Sequence, residues 1–460
     1  MTQCNTKTRV DFQSQSPIDI EFTAEDISTD GGAVLLREAE EHLGICDTIA
    51  RMVPDDRDRS RVEHSRKQQV LQRVIQLALG YDDQNDANVL RDDPIMKASV
   101  NVDVSDGRLS SQPTLSRFEN ACTPRDILRM QWKLAMEWLH ALDEDRRQIT
   151  IDIDSTPMEG HGRQQQLFYC EHFGAHKLHP LMLFDGETGQ LITVVLRAGN
   201  VGDSANIEDW IPCLITSVKH LHRRDCAVVV RADGGFATPR LYRGLDRQNR
   251  LWGDVGYLIG FGKNAVVKRR LEPAMKTARR LKKDGQKKAR VFTSFSYRAK
   301  SWERTRTIVG KAEVTDKGDN PRFVVTNFNQ MAPRILYEIG YCGRGRCERW
   351  IGEYKTGLFA DRISCHDFNA NGFRTILAAL AYRLMFFIQT QLQSVADQKK
   401  APVDTARRCR RLARATFCQL RLRLLKVAFI VRRSVRRIYL QGAKSFPMAD
   451  VFHHIARAMN

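Results

Sequence analysis

The chain has 460 residues, and 73 Lys and Arg against 54 Asp and Glu give a formal net charge of +19 and a pI near 9.6. Such a surplus in a mixed sequence points to a polyanionic partner, nucleic acid first and an anionic membrane second. Eleven cysteines without a CxxC pair argue against a disulfide framework or zinc ribbon and for a reducing compartment.

At about 150 residues per domain the length allows roughly three domains. The N-terminus MTQCNTKTRVDFQ has no apolar stretch of the kind a secretory signal needs. Residues 1–55 read as an arm with one short helix near Ala33 to Leu43. Residues 56–145 read as a helical domain. Its first helix ends at Gly80, and SQPTLSRFEN holds a short helix, capped by Thr114, that carries Ser116 and Arg117. A third helix opens on Thr123 and Pro124 and buries Ile127, Leu128, Trp132, Leu134, Ala135, Trp138 and Leu139. Three helices with a polar middle element are either a DNA reader of the helix-turn-helix kind, with Arg117 on the DNA, or a plain bundle.

Residues 146–262 alternate strands with helices. QITIDIDST puts Ile149, Ile151 and Ile153 on one strand face and Thr150, Asp152 and Asp154 on the other. Two like charges on one face require water or a cation there. Leu181 to Phe184 and Gln190 to Leu196 form a hairpin, and a helix follows Ser204. Ala227 to Val230 is apolar on both faces, as for a central strand. Asp233 stands just past its end, beside Gly234 and Gly235, where open α/β sheets bind ligands. A further strand runs from Tyr257 to Gly262. Cys170, His172, His176 and His179 match no zinc spacing and read as strand and loop.

Residues 263–340 are rich in Lys and Arg and strand-like in RVFTSFSYR, TRTIVGKAEV and RFVVTNF. In YCGRGRCERWIGEYK, an advance of about 100° per residue puts Tyr341, Arg344, Glu348 and Lys355 within roughly 60° of one another on a helix. A carboxylate among two cations and a phenol suits a phosphodiester held near a metal-binding acid, and it also suits an ordinary surface pair. The apolar run Ile376 to Leu392, broken by Arg383, falls short of about 20 clean apolar residues and reads as a buried helix. Residues 401–440 hold twelve Arg and Lys against Asp404 alone, with apolar residues at helical spacing. An amphipathic basic helix there would meet DNA phosphates, a second copy of the chain, or simply solvent.

The order strand with acid, strand, strand, helix, strand with acid, helix, strand, and helix with acid resembles the ribonuclease H-like fold. The interval of Tyr341, Arg344, Glu348 and Lys355 resembles the signature of insertion-sequence DDE transposases of the DDE domain group 1 type. Asp154-Ser155-Thr156, Asp233-Gly234-Gly235-Phe236, SQPTLSRFEN, HPLMLFDGETG, GYLIGFGKNA, NPRFVVTNF and LFADRISCHDFNANGFR add to the likeness, which spans about Gln69 to Phe387.

The resemblance implies an α/β fold: a ribonuclease H-like catalytic core, 146–262 and 341–395, interrupted by a β-strand insertion domain at 263–340. The N-terminal region and the basic C-terminal region, 396–460, would be helical. It implies cut-and-paste transposition, with cleavage and strand transfer at terminal inverted repeats. Asp154, Asp233 and Glu348 would hold two Mg²⁺ or Mn²⁺ ions, and Asp152 is the alternative first acid. Tyr341, Arg344 and Lys355 would grip phosphates, and Trp302 would stack on a flipped base or else sit in the core. The expected partners are double-stranded DNA and a second protomer, with no membrane, in the bacterial cytoplasm at the nucleoid. The alternatives are a ribonuclease H-fold nuclease or resolvase that does not join ends, and an inactive derivative that only binds DNA.

Overall fold

The computed structural model describes residues 8–10, 18–23, 26–282, 286–399 and 401–460. It divides into two compact units, one of residues 1–44, 62–115 and 387–460 and the other of residues 45–61 and 116–386. Most of the first 17 residues of the expected arm lie outside the described residues.

The second unit is built on a mixed sheet, nine-stranded among the described residues. In chain order its main strands are β1 (Gln148–Ser155), β2 (Leu181–Asp185), β3 (Leu191–Val195), β4 (Ala227–Ala232), β5 (Val255–Phe261), β6 (Lys288–Tyr297), β7 (Arg306–Thr315) and β8 (Arg322–Thr326). Across the sheet they run β6-β7-β8-β5-β4-β1-β2-β3. The central β4 is parallel to both β1 and β5, and the other neighbours are antiparallel.

Alternation in β1 does what its pattern promises on one side. Ile149, Ile151 and Ile153 are fully buried with Val228, Val230 and Ala232 of β4, and burying such a side chain contributes about 2 kcal/mol. Four helices cover this face: α1 (Pro124–His140), α2 (Ile207–Ser217), α3 (Pro239–Trp252) and α4 (Ala265–Leu281). Thr123 caps α1 in a reciprocal pair with Asp126, and Pro124 takes its first position. Leu128, expected in the core, is 48% exposed, because the buried stripe runs through Ile127, Met130, Leu134 and Trp138 instead.

On the polar face of β1, Asp152 is fully buried, and the cation beside it is the Arg231 guanidinium of β4.

Residues 263–340 differ from expectation. They open with α4, whose Val267, Leu271, Met275 and Ala278 face inward under a cap from Asn264. The three long strands that follow extend the main sheet from the β5 edge rather than forming a sheet of their own. This basic run carries its helical stripe as an apolar residue at about every fourth position.

From Phe368 to Asp397 runs α6, a helix long and apolar enough to cross a membrane by length and composition, yet 72% of its most apolar window is buried. Arg383, 3% exposed, spends its guanidinium on the carbonyls of Leu134, Leu191 and Ile192.

In the first unit the helix Ala33–Leu43 stands where expected, and Arg66–Leu79 is capped by Ser65 and stopped by Gly80 at φ +93°. The region 401–440 is only partly helical. After Val403–Ala413 and Phe417–Leu420 it forms a hairpin, Phe429–Arg433 with Ile438–Gly442. The β-branched and aromatic residues around Phe429 and Tyr439 favour strands over helix. Ile27–Ser28 adds a third strand to this hairpin. The N–H groups of Gly31 and Gly32 reach the carbonyls of Val427 and Leu425 at 3.0 and 2.9 Å, so close that a Cβ at either glycine would collide with the chain opposite.

Candidate active site

Parallel pairing of β1 and β4 brings their carboxyl ends to one edge of the sheet. The register sets Ala232 beside Ile153, so the next residues, Asp154 near the end of β1 and Asp233 just past β4, come on neighbouring strands. Asp233 accepts the Gly235 N–H at 2.9 Å as the cap of a short turn. Asp154, 9% exposed, accepts the Ser155 N–H at 2.9 Å and the Arg344 Nη1 at 2.7 Å. Burial pushes the Asp154 carboxyl up to about 6; Arg344 pulls it down and the charge of Asp233 pushes it up again. Burial is thus the main cost of the Asp154 charge, and the guanidinium in contact offsets only part of it.

The segment that supplies Arg344 is fixed from beneath. Arg231 bonds both oxygens of Asp152, at 2.6 and 2.7 Å, and its Nη1 reaches the carbonyl of Gly340 at 2.9 Å. A Cβ at Gly343 would strike this guanidinium, which accounts for glycine there. The segment is a π turn at Leu336–Tyr341, a 3-10 turn at Cys342–Gly345, the α-helix Arg346–Gly352 (α5, preceding α6) and a π turn at Glu353–Gly357. π turns of this sort re-aim side chains and are frequent at functional sites.

Three of the four signature residues reach the strand ends. Tyr341 packs by Gly260 and the backbone of Asp233, and burial raises its hydroxyl's pKa. Arg344 holds Asp154. Burial works against the Arg344 charge but is outweighed by Asp154, Tyr341 and Asp233. Lys355 Nζ donates to Pro157 O at 2.8 Å and Thr156 Oγ1 at 3.2 Å, just past Asp154. Glu348 is exposed on α5, next to Cys347, whose thiol is pushed well up by burial and by the nearby Asp154 and Asp152. Among the described residues no three His, Cys, Asp or Glu side chains are gathered closely enough to hold a metal ion together. Asp233 lies near enough to Asp154 for its charge to act on that carboxyl.

Two expected DNA contacts fall elsewhere. Trp302 is 4% exposed and packed against Tyr242, Phe261 and Tyr297, so its indole is a core side chain and no base can stack on it. Arg117 is exposed on the helix Gln112–Glu119, which begins before Thr114, and takes no part in the contacts that build the site.

Two contributing residues escaped the sequence reading. Arg231 reads as an interruption of a strand until the register sets it beside Asp152. Asp203 lies in the loop between β3 and α2, where it accepts from Ser155 Oγ at 2.6 Å and meets His179 Nε2 at 3.2 Å. The glycines of RAGNVGDSAN marked that loop as tightly built, but nothing in the sequence tied it to Asp154.

The donors at the strand ends are oxygen atoms of two carboxylates, which fits a hard divalent cation. Fold and site together define a mixed α/β protein with acids converging at the ends of parallel strands. The profile of the family Transposase DDE domain group 1 matches residues 10–460. The chain belongs to that family, and it is a DDE-type transposase. Among solved structures it is similar to the piggyBac transposase synaptic complex with hairpin DNA, at 13% identity over 85% of this chain and 81% of that one, with a TM-score of 0.42. A comparison with curated proteins finds no match.

Proposed function

We propose that the protein binds the terminal inverted repeats of its own insertion sequence, cuts the DNA there and joins the ends to a target, working as a synaptic homodimer. The observation that carries this reading is the pairing of Asp154 and Asp233 at adjacent strand ends with Arg344 on the first of them. The strand order β3-β2-β1-β4-β5, antiparallel then parallel, supports a ribonuclease H-like core.

Asp154 and Asp233, joined by Glu348 from α5, would hold two Mg²⁺ or Mn²⁺ ions. Bound there, such ions neutralise charge on the attacking and departing oxygens of a phosphodiester. Arg344, Tyr341 and Lys355 surround the same strand ends with two cations and a hydroxyl and would hold the phosphates beside the scissile bond. Arg344 would exchange Asp154 for a phosphate oxygen once the carboxylate is otherwise neutralised. A further basic surface, Arg432, Arg433, Arg436 and Arg437, lies exposed around the hairpin turn of the first unit, and its charge supports phosphate contacts away from the cut.

The test is cleavage of labelled DNA carrying the element's ends. Asp154→Asn, Asp233→Asn and Glu348→Gln each abolish Mg²⁺-dependent cutting and leave end binding largely intact. Full cutting by any of the three removes that residue from the reading.

A further inference from the structure

A chain of contacts joins the two strand-end aspartates without passing through the sheet. Asp154 accepts the N–H of Ser155, whose hydroxyl donates to Asp203 Oδ1 at 2.6 Å. The other oxygen of Asp203 lies against Gly235, so close that a Cβ there would collide with it. Gly235 in turn gives its N–H to Asp233. Asp203 thus stands between the residue after the first acid and the turn after the second.

Asp203 is itself held from behind. His179 meets it through Nε2 at 3.2 Å and faces the carbonyl of Val201 through Nδ1 at 3.1 Å. Arg197, 3% exposed, donates from Nη1 to the carbonyls of Gly202, Asp203 and Ala205 and from Nε to that of His179. The loop between β3 and α2 is therefore pinned by two buried side chains, and its carboxylate is aimed at the strand ends. The hydrogen bond from His179 is the main cause holding that carboxyl low, at about 2, with Ser155 adding to it against burial.

We infer that Asp203 is a positioning residue for the transposase site, a brace that sets the separation of Asp154 and Asp233 through Ser155 and Gly235. The inference rests on those two aspartates being the cation-holding pair. Outer-shell partners of metal-binding carboxylates, when removed, cost about 10- to 100-fold in metal affinity or activity. Deleting the brace should loosen both strand ends together while leaving the rest of the sheet alone.

The experiment compares the full chain with Asp203→Ala, Ser155→Ala and Ser155→Thr, which keeps the hydroxyl. Amide hydrogen exchange is followed in peptides spanning 150–160 and 230–238, without DNA or metal. Mn²⁺ binding is followed by electron paramagnetic resonance, and kcat and KM are measured for end cleavage. The expected result is faster exchange in both peptides for Asp203→Ala and Ser155→Ala, and Mn²⁺ dissociation constants raised about 10- to 100-fold. A fall in kcat of similar size should leave the KM for DNA nearly unchanged, and Ser155→Thr should restore all three readouts. Unchanged exchange at either peptide in Asp203→Ala overturns the brace, and so does faster exchange spread evenly over the chain, which would mark Asp203 as a general stabiliser. If the unsubstituted chain cuts no DNA, the cleavage reading fails while the exchange data still decide the brace.

Discussion

Arg344 donates to Asp154 across 2.7 Å, so in the DNA-free chain a guanidinium occupies one face of a carboxylate proposed to hold a divalent ion. Two cations then compete for one acid. Arg344→Ala is expected to bind Mn²⁺ several-fold more tightly without DNA, yet to cut about 100-fold more slowly, the usual cost of losing a donor aimed at developing charge. Mn²⁺ titration and single-turnover cleavage check the two halves, and weaker Mn²⁺ binding would show that Arg344 organises Asp154 rather than competing for it.

Asp152 and Asp154, two residues apart on one strand face, are expected to separate by stability. Asp152→Asn strips the buried Arg231 of its counter-charge and should cost about 3 to 5 kcal/mol. Asp154→Asn has the opposite sign. A carboxyl held near 6 when folded binds its proton more tightly there than in the unfolded chain, so stability falls as pH rises through about 4 to 6. Removing that charge should keep or raise stability at pH 7 while ending cleavage. Urea midpoints of the two variants decide it, and equal losses would refute the distinction.

Lys355 touches a hydroxyl and a carbonyl, so those two contacts leave its charge unneutralised. Lys355→Ala should weaken DNA binding and reduce the slope of log K against log salt by about 1. A fluorescence anisotropy series from low to high salt measures this, and an unchanged slope removes Lys355 from the phosphate contacts.

Glu313 on β7 offers a pH test remote from the strand ends. Burial disfavours its charge, but Lys311, Arg290 and Asn320 outweigh it and hold the carboxyl down to about 2. A depressed carboxyl contributes stability above its ordinary range near 4.5 and loses it as pH falls toward 2. Glu313→Gln should therefore lower the thermal midpoint at pH 6 and flatten its decline between pH 5 and 3. Parallel acid profiles for the two proteins would contradict this.

Much of the sheet was legible because period-two alternation and capping residues are local signals. β1, the hairpin of β2 and β3, the central β4 and the Thr123 cap all follow from neighbours in sequence. Residue type beside a strand end also marked Asp154 and Asp233. What the sequence hid depends on pairing across distance. The partnership of Arg231 with Asp152 needs the register, the contact of Asp203 with Ser155 needs a loop to fold back 48 residues, and the burial of Trp302 needs Tyr242 and Tyr297 beside it. The turns of 336–357 were hidden for a different reason. Arg231 donates to the carbonyl of Gly340 and crowds Gly343, contacts from another strand that a helical wheel cannot contain.

The short strand Ile27–Ser28, paired with Phe429 and Ile430, bears on biogenesis. On a ribosome its partner emerges about 400 residues later, at synthesis rates of roughly 5 to 20 residues per second. The unit holding both aspartates is translated in full before that ribbon can close. Newly made chains would pass through a stage in which the sheet is formed while an unmatched leading segment waits, open to proteases and to swapping with a neighbour on the same message.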